Sequence, residues 1–230
     1  MSSGGLCLRG GIPILAIKSS NREAGVLIFV AVAALVWSGV RPHDRLTWWL
    51  EVAPVLLAGS LLFVTRNRFP LTPLAYRLIW VHGLILMVGA HYTYERVPIG
   101  IWVRDAFELA RNHYDRLGHF VQGFVPAMVT REVLLRKTPL RPGGWLFFLT
   151  TAVCLAISAS FEFVEWAGAT LLGKSADAYL ATQGDVWDTH WDMLFALLGA
   201  MASQLCCARR HDRELHRLLG RTDLPASRGR

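Results

Sequence analysis

Three groups of ionisable residues lie in or beside apolar stretches of this chain. They are Asp115-x-x-x-His119-x-x-Gln122, Glu162-x-x-Glu165 and Asp185-x-x-Asp188-x-x-x-Asp192. An ionised side chain at the centre of a bilayer costs about 2.5 to 3.5 kcal/mol on insertion scales, so such residues face a partner or water. Three such groups in one chain predict a shared polar site inside a membrane domain.

The residue types in these groups are those that bind cations. Carboxylates gathered in a poorly hydrated pocket cannot all ionise, because like charges raise one another's pKa. A divalent cation would neutralise them, and carboxylate oxygens with one imidazole suit Mg²⁺, Mn²⁺, Ca²⁺ or Zn²⁺. A divalent cation is therefore the candidate cofactor. The predicted metal ligands are His119, Glu162, Glu165, Asp185, Asp188 and Asp192.

Further roles follow from a metal site of this kind. The residues predicted to take part in catalysis are Asp115, His119, Glu165 and Asp188, and those predicted to bind substrate are Arg111, Arg116, Gln122 and Gln183. A metal that faces the outer leaflet could activate water or hold a phosphate. The leading hypothesis is a metal-assisted hydrolase or transferase that acts on a lipid or envelope precursor.

Two other functions fit the same residues. The carboxylates could bind a transported cation or protons, although residues 146–157 and 194–205 are nearly free of charge. Alternatively, Arg111 and Arg116 could neutralise the acids in a purely structural network. The sequence leaves open whether the protein is an enzyme, a transporter or a structural membrane protein.

The elements that position these residues are predicted to be transmembrane helices. Apolar residues make up 53% of the chain, its mean hydropathy is +0.35, and nine of its 230 residues are Trp. Six apolar runs approach or exceed the roughly 17 to 25 residues of a spanning helix: 24–40, 48–65, 74–90, 117–135, 145–171 and 189–207. The expected fold is an all-α polytopic membrane protein with a short amphipathic helix at about 98–111. Its domain, 24–207, follows a segment 1–23 and precedes a basic tail 208–230.

The basic charges indicate the orientation in the membrane. The net charge is +7, and 17 of the 24 Lys and Arg fall on one side if the N-terminus is inside. Cytoplasmic loops carry such an excess, so both termini are predicted to be cytoplasmic and the site to face outward. The positive charge is thus a sign of topology and not of nucleic-acid binding. The expected partner is the lipid bilayer, and no disulfide is predicted from the four cysteines.

Several segments of the chain resemble a known family of bacterial inner-membrane proteins, the YjdF family. They are His91-Tyr-Thr-Tyr-Glu95, the residues 110–120, Gln122-Gly-Phe-Val-Pro126, Phe161-Glu-Phe-Val-Glu-Trp166 and the long Thr-Gln-Gly-Asp run within 181–193. The resemblance covers most of 25–207 and implies a multi-pass inner-membrane topology without assigning a chemistry. Asp115, His119, Glu165, Asp188 and Asp192 also make the chain similar, more weakly, to VanZ-like membrane proteins.

Overall fold

The computed structural model describes residues 17–172 and 182–220, and the regular structure in these ranges is entirely helical. The seven α-helices are α1 (Ile17–Gly39), α2 (Arg45–Thr65), α3 (Pro73–Tyr92), α4 (Pro98–Ala106), α5 (Tyr114–Lys137), α6 (Gly144–Leu172) and α7 (Asp188–Leu219). A 3-10 turn, Tyr94–Arg96, precedes α4. The predicted all-α class is confirmed.

Five of these helices are long and apolar enough to cross a membrane. They are α1 from Arg22, α2, α3, α6 and α7, taken among the described residues. Large apolar side chains on their surfaces are exposed, for example Phe29 (74%), Leu57 (72%) and Leu171 (86%). A soluble protein rarely exposes this much contiguous apolar surface, which suits contact with lipid. The protein is therefore a polytopic membrane protein.

Capping residues mark where some helices begin. The Asp44 carboxylate accepts from the Thr47 amide at 2.7 Å and caps α2. The Thr72 hydroxyl accepts from the Ala75 amide at 3.3 Å, and Pro73 occupies the first turn of α3. Both arrangements satisfy amides that the first helical turn leaves without partners.

Three helices differ clearly from their predicted bounds. Helix α1, predicted at 24–40, begins at Ile17. The amphipathic helix predicted at 98–111 ends at Ala106. The last helix, predicted at 189–207, continues to Leu219 through residues assigned to the basic tail. It continues because His211 and Leu215, one turn apart, are both fully buried against the rest of the bundle. Because charged residues surround His211 and Leu215 in the sequence, the mean hydropathy of this segment does not reveal the buried face.

Helix α5 lies at the centre of the bundle, against α3, α6 and α7. Its contact with α7 is so close that a Cβ on Gly123 would lie 1.8 Å from the Ala196 carbonyl oxygen, and one on Gly199 would lie 1.9 Å from the Phe120 oxygen. Small residues at such crossings let helix backbones touch. Ala196 and Gly199 of α7 thus lie at an interface with α5.

Helices α5 and α7 run in the same direction. The start of α5 contacts the start of α7, where Arg116 pairs with Asp188, and its other end contacts the far part of α7, where Arg131 pairs with Asp212. We call the end of the bundle that holds Asp188 the carboxylate end and the end that holds Asp212 the basic end. Helix α5 therefore runs parallel to α7 over its whole length.

Helix α1 packs parallel to α3, and α3 starts at the basic end, where the Leu74 amide donates to Glu214 of α7. The Arg77 guanidinium pairs with Glu23 near the basic end, and the Trp80 indole N–H donates to the Leu27 carbonyl at 2.9 Å. Near the carboxylate end, Trp37 stacks on His91 with ring centroids 4.5 Å apart. These contacts place the start of α1 and the start of α3 at the same end of the bundle.

Candidate functional site

Four charged side chains form a compact ionic cluster at the carboxylate end. Arg111 Nη1 donates to Asp188 Oδ1 at 2.6 Å, and Arg116 Nη2 donates to the same oxygen at 2.9 Å. Arg116 Nη2 also donates to Asp185 Oδ2 at 2.9 Å. Two guanidinium groups thus neutralise two carboxylates. Asp185 and Asp188, predicted as metal ligands, and Arg111 and Arg116, predicted to bind substrate, are engaged with one another.

The Asp185 carboxyl lies in the connection before α7 and is held in its ionised form. The Trp187 amide donates to Asp185 Oδ1 at 2.9 Å. This bond, together with the Arg116 guanidinium, holds the pKa of the Asp185 carboxyl below its usual range. A carboxylate that is stabilised in this way has less need of a metal ion.

Gln183 joins the connection before α7 to the start of α5. Its side-chain oxygen accepts from the Asn112 amide at 3.0 Å, and its side-chain nitrogen donates to the Asn112 carbonyl at 2.9 Å. Asn112 is fully buried and its side chain accepts from the Tyr114 amide at 2.9 Å. Gln183, predicted to bind substrate, is therefore bonded to the main chain and fixes the loop that carries Asp185.

His119 lies one turn into α5, next to Gln122. Its Nδ1 is 2.9 Å from Gln122 Oε1. Because an amide oxygen only accepts, Nδ1 carries a hydrogen, and Nε2 is the nitrogen that faces the carboxylates. Nε2 lies 3.6 Å from Asp115 Oδ1 and 4.0 Å from Asp192 Oδ1. Gln122, predicted to bind substrate, instead orients the imidazole toward two carboxylates.

Asp115, His119 and Asp192 together have the geometry of a ligand set. Each side chain is buried, and one donor atom from each lies within 4.8 Å of the other two. Bonds of about 2.0 to 2.2 Å to a common ion would bring such atoms somewhat closer, which small side-chain rotations achieve. The second nitrogen of His119 is already bonded to Gln122, as metal-binding histidines usually require.

More acids lie beside this set than the two arginines can neutralise. Glu162 Oε1 is 3.8 Å from His119 Nδ1. Within the described residues, Asp115 Oδ2, Glu162 Oε1 and Asp192 Oδ1 are buried atoms that have no hydrogen-bond partner. Glu165 is half-buried one turn along α6, where its charge interacts with those of Glu162, Asp115 and Asp192. Buried carboxylate oxygens without partners indicate that a proton or a cation is required there.

The structure brings most of the predicted residues together. Helices α5, α6 and α7 converge at the carboxylate end as predicted, with His119 in contact distance of both Glu162 and Asp192. The residues divide into an arginine-paired half, Asp185 and Asp188, and a half that lacks arginine hydrogen bonds, Asp115, Glu162 and Asp192. The sequence does not reveal this division.

Two further residues were not among the predicted site residues. Glu51 of α2 is 4% exposed, and its carboxyl accepts from the Tyr94 hydroxyl. His82 of α3 is half-buried, and its Nε2 is buried with no hydrogen-bond partner among the described residues. Glu51 could have been found as a lone acid within a predicted span.

A second buried ionic network lies at the basic end. Glu132 is fully buried and accepts from the Thr72 hydroxyl at 2.9 Å, from Arg136 at 2.8 Å and from His211 Nε2 at 3.2 Å. Arg131 donates to His211 Nδ1 at 2.8 Å, so His211 is neutral and carries its hydrogen on Nε2. Unlike the carboxylate end, this network pairs each of its acids.

Comparisons with known proteins agree with the fold and with the family resemblance. The family described as "Predicted membrane protein (DUF2238)" matches residues 24–213. The chain is 50% identical, over 183 residues, to the inner membrane protein YjdF of Escherichia coli (strain K12), which covers 80% of this chain and 88% of that relative. No solved structure matches. The similarity to VanZ-like proteins stays a prediction. The chain belongs to the DUF2238 family of predicted membrane proteins, which includes YjdF.

Proposed function

We propose that this protein binds a divalent cation at the carboxylate end of its membrane domain, with Asp115, His119 and Asp192 as ligands. The observation that carries the proposal is the convergence of three buried donor atoms from α5 and α7 within 4.8 Å of one another. The orientation of His119 by Gln122 supports it, because Nε2 then faces the position between the two carboxylates.

The charges at the site favour a cation. Arg111 and Arg116 are hydrogen-bonded to Asp185 and Asp188, which leaves Asp115, Glu162 and Asp192 around the imidazole of His119. The guanidinium groups approach Asp115 and Asp192 only at 3.9 and 3.7 Å. Three carboxylates within a few ångströms of His119 repel one another unless a cation or protons offset their charge.

The ligand types suggest which ion would bind and what it would do. Two carboxylates and one imidazole suit Mn²⁺, Zn²⁺ or Mg²⁺, and Glu162 is near enough to His119 to complete the set. Such an ion activates water or polarises a phosphate oxygen. We propose a metal-assisted hydrolase or transferase that acts on a lipid or envelope precursor, in which Glu165 accepts a proton and Asp188 positions Arg111 and Arg116.

We propose further that α5 is a sixth membrane span. Its charges exclude it from the helices recognised by composition, but it runs beside α7, with Arg116 paired to Asp188 and Arg131 to Asp212. At 1.5 Å per residue its own 24 residues are about 36 Å long, which exceeds the hydrocarbon thickness of a bilayer. If α7 crosses the membrane, α5 crosses beside it.

Six spans place both chain termini on one side of the membrane. The excess of Lys and Arg assigns that side to the cytoplasm, and the YjdF relative is named as an inner membrane protein. We therefore propose a bacterial inner-membrane protein whose segment 1–23 and residues after 207 lie in the cytoplasm. The carboxylate end then faces outward, where it can meet envelope precursors.

A transport function is the second candidate. The buried network around Glu132 and His211 at the basic end favours it, because a transport pathway needs polar groups at both ends. Between the two ends, however, Ala127, Cys154 and Ala200 form an apolar cluster next to the Gly123 crossing. This layer favours a site that opens on one side only.

A purely structural role is the third candidate. The pairing of Arg111 and Arg116 with Asp185 and Asp188 is what such a network requires. It accounts for two of these five acids and leaves Asp115, Glu162 and Asp192 without arginine hydrogen bonds. The cation hypothesis accounts for both halves.

The proposal is tested by metal analysis of the protein purified in detergent. Wild type, Asp192→Asn and the control Asp105→Asn are incubated with Mn²⁺ or Zn²⁺, desalted, and analysed by inductively coupled plasma mass spectrometry. Asp105 is an exposed acid of α4 at the same end of the bundle, so its loss changes the net charge equally. We expect about one ion per wild-type and control chain and a large loss with Asp192→Asn. Equal metal in all three proteins would refute the site.

A further inference from the structure

A second candidate binding site lies at the basic end, away from the proposed cation centre. It is a cleft of about 710 Å³ between the start of α3 and the last turns of α7. Four arginines line it, Arg77, Arg210, Arg213 and Arg217, with Glu214 among them. We call this the arginine cleft.

The arginines of α7 are placed there by helical periodicity. Arg210, Arg213 and Arg217 follow one another at intervals of three and four residues, which puts them on one face of a helix. The adjacent face carries His211 and Leu215, which are fully buried. Burial of that face fixes the rotation of α7 and so turns the arginine face toward α3.

Glu214 joins the two helices and does not neutralise the cleft. Its Oε2 accepts from the Leu74 amide at the start of α3 at 2.6 Å, and its Oε1 accepts from Arg210 Nε at 3.0 Å. A carboxylate at this place satisfies an amide that the first turn of α3 leaves open. Glu214 and Arg210 therefore form the wall of the cleft.

The remaining arginines divide into one that is paired and two that are not. Arg77 pairs with Glu23 of α1, with Nη2 3.0 Å from Oε2. Among the described residues, no carboxylate lies within 4.0 Å of Arg213 or Arg217. Arg213 donates only to the Arg209 carbonyl, at 3.4 Å. Two exposed guanidinium groups at one cleft form an anion site, since paired guanidiniums match phosphate oxygens.

We propose that the arginine cleft binds the phosphate of an anionic phospholipid. The cleft lies where two candidate spans begin, α1 at Arg22 and α3 at Pro73, so it is at the level of lipid headgroups. Its wall also includes Leu218, which is 37% exposed and offers apolar surface to the lipid beside the headgroup. A soluble phosphate would use the same guanidinium groups but would gain nothing from the apolar wall.

The proposal is tested with the full-length protein in detergent micelles. Dioleoylphosphatidylglycerol, dioleoylphosphatidylcholine and inorganic phosphate are each titrated, and binding is followed by native mass spectrometry and by the thermal unfolding temperature. The test variant is Arg213→Gln with Arg217→Gln. The matched control is Arg68→Gln with Arg141→Gln, two exposed arginines in loops before α3 and α6.

We expect phosphatidylglycerol to bind more tightly than phosphatidylcholine and to raise the unfolding temperature. The affinity for phosphatidylglycerol should fall about fivefold for each arginine lost from the cleft, and about 25-fold in the double variant, while the control keeps most of its affinity. Arg213→Lys with Arg217→Lys, which keeps the charges, should recover part of the binding.

Three outcomes would overturn the proposal. Equal loss in the control would show unspecific attraction to basic charge. Equal binding of both lipids would remove the headgroup as the ligand. Saturation by inorganic phosphate with no further gain from the lipid would make the site one for soluble phosphate. If the double variant unfolds, the same titrations are made with the single variant Arg217→Gln and its control Arg68→Gln. The same three outcomes would then overturn the proposal.

Discussion

Asp188 and Asp192 lie one turn apart on α7, and their removal should change stability in opposite directions. Both are buried, with exposures of 5% and 2%. Asp188 accepts hydrogen bonds from Arg111 and Arg116, whereas Asp192 Oδ1 has no hydrogen-bond partner in the described part of the chain. The substitutions Asp188→Asn and Asp192→Asn change one atom each and leave the packing intact.

The expected magnitudes follow from these contacts. Asn at 188 removes one of the two carboxylate charges that neutralise the buried guanidinium groups, and breaking a buried ion pair in this way costs about 3 to 5 kcal/mol. Asn at 192 removes one member of a pair of carboxylates whose donor atoms lie within 4.8 Å. Relief of that repulsion between two ionised carboxylates contributes about 3.5 kcal/mol at an effective dielectric constant of about 20. The metal-free Asp192→Asn protein should therefore be as stable as wild type or more stable.

The assay is unfolding of the purified proteins in detergent with a chelator present, followed by Trp fluorescence against temperature and against added sodium dodecyl sulfate. Asp188→Asn should unfold well before wild type and Asp192→Asn at or after it. Repeating the series with Mn²⁺ should stabilise wild type and leave Asp192→Asn unchanged. If both variants lose the same stability in the chelator, the division of the acids into paired and repelling halves is wrong.

Three further predictions concern topology, packing and the basic end. Cysteines engineered at Arg96 and Thr138, both exposed, should differ in intact cells, with a membrane-impermeant maleimide labelling only position 96; labelling at 138 alone would reverse the orientation. Gly123→Ala should destabilise the protein by about 1 to 3 kcal/mol or more, because its Cβ meets the α7 backbone, whereas Gly59→Ala, which meets nothing within 4 Å, should not; similar unfolding temperatures would contradict the helix crossing. Glu132→Gln should cost about 3 to 5 kcal/mol of unfolding free energy in the same assay, since it leaves Arg136 without its buried partner; a neutral effect would show that the network does not stabilise the fold.

Much of the fold follows from the sequence, because membrane helices are recognised by length and apolar composition. The predicted runs 48–65 and 74–90 lie within α2 and α3 and end within a few residues of them. The prediction fails at α7, which continues twelve residues beyond 207. There the buried face consists of His211 and Leu215. The charged residues beside them lower the mean hydropathy of every segment that contains them.

The candidate site was predictable in part. Acids at membrane depth on α5, α6 and α7 predicted convergence because isolated charges there are costly, and the structure brings His119 to Glu162 and Asp192. The sequence could not show which acids the arginines would neutralise. That depends on the loop that carries Asp185, which Gln183 fastens to Asn112 by bonds between residues about 70 positions apart.

The part that Glu51 plays at this end was also not predictable from the sequence. It is the lone acid in the predicted run 48–65, and no acid near it in sequence indicates a cluster. Its partner Tyr94 comes from the turn after α3, so that the contact exists only once α2 and α3 are packed. Single ionisable residues in apolar helices therefore merit the same attention as groups.

His119, Asp115 and Asp192 are the proposed ligands of a metal ion. Electron spin echo envelope modulation of the Mn²⁺-loaded protein in detergent tests this proposal most directly, because a coordinated imidazole nitrogen modulates the echo. We predict nitrogen modulation in wild type and in the control Asp105→Asn, and its loss in His119→Gln under conditions where Mn²⁺ still binds. A spectrum without nitrogen modulation in wild type, or one unchanged by His119→Gln, would contradict the assignment of His119 as a ligand.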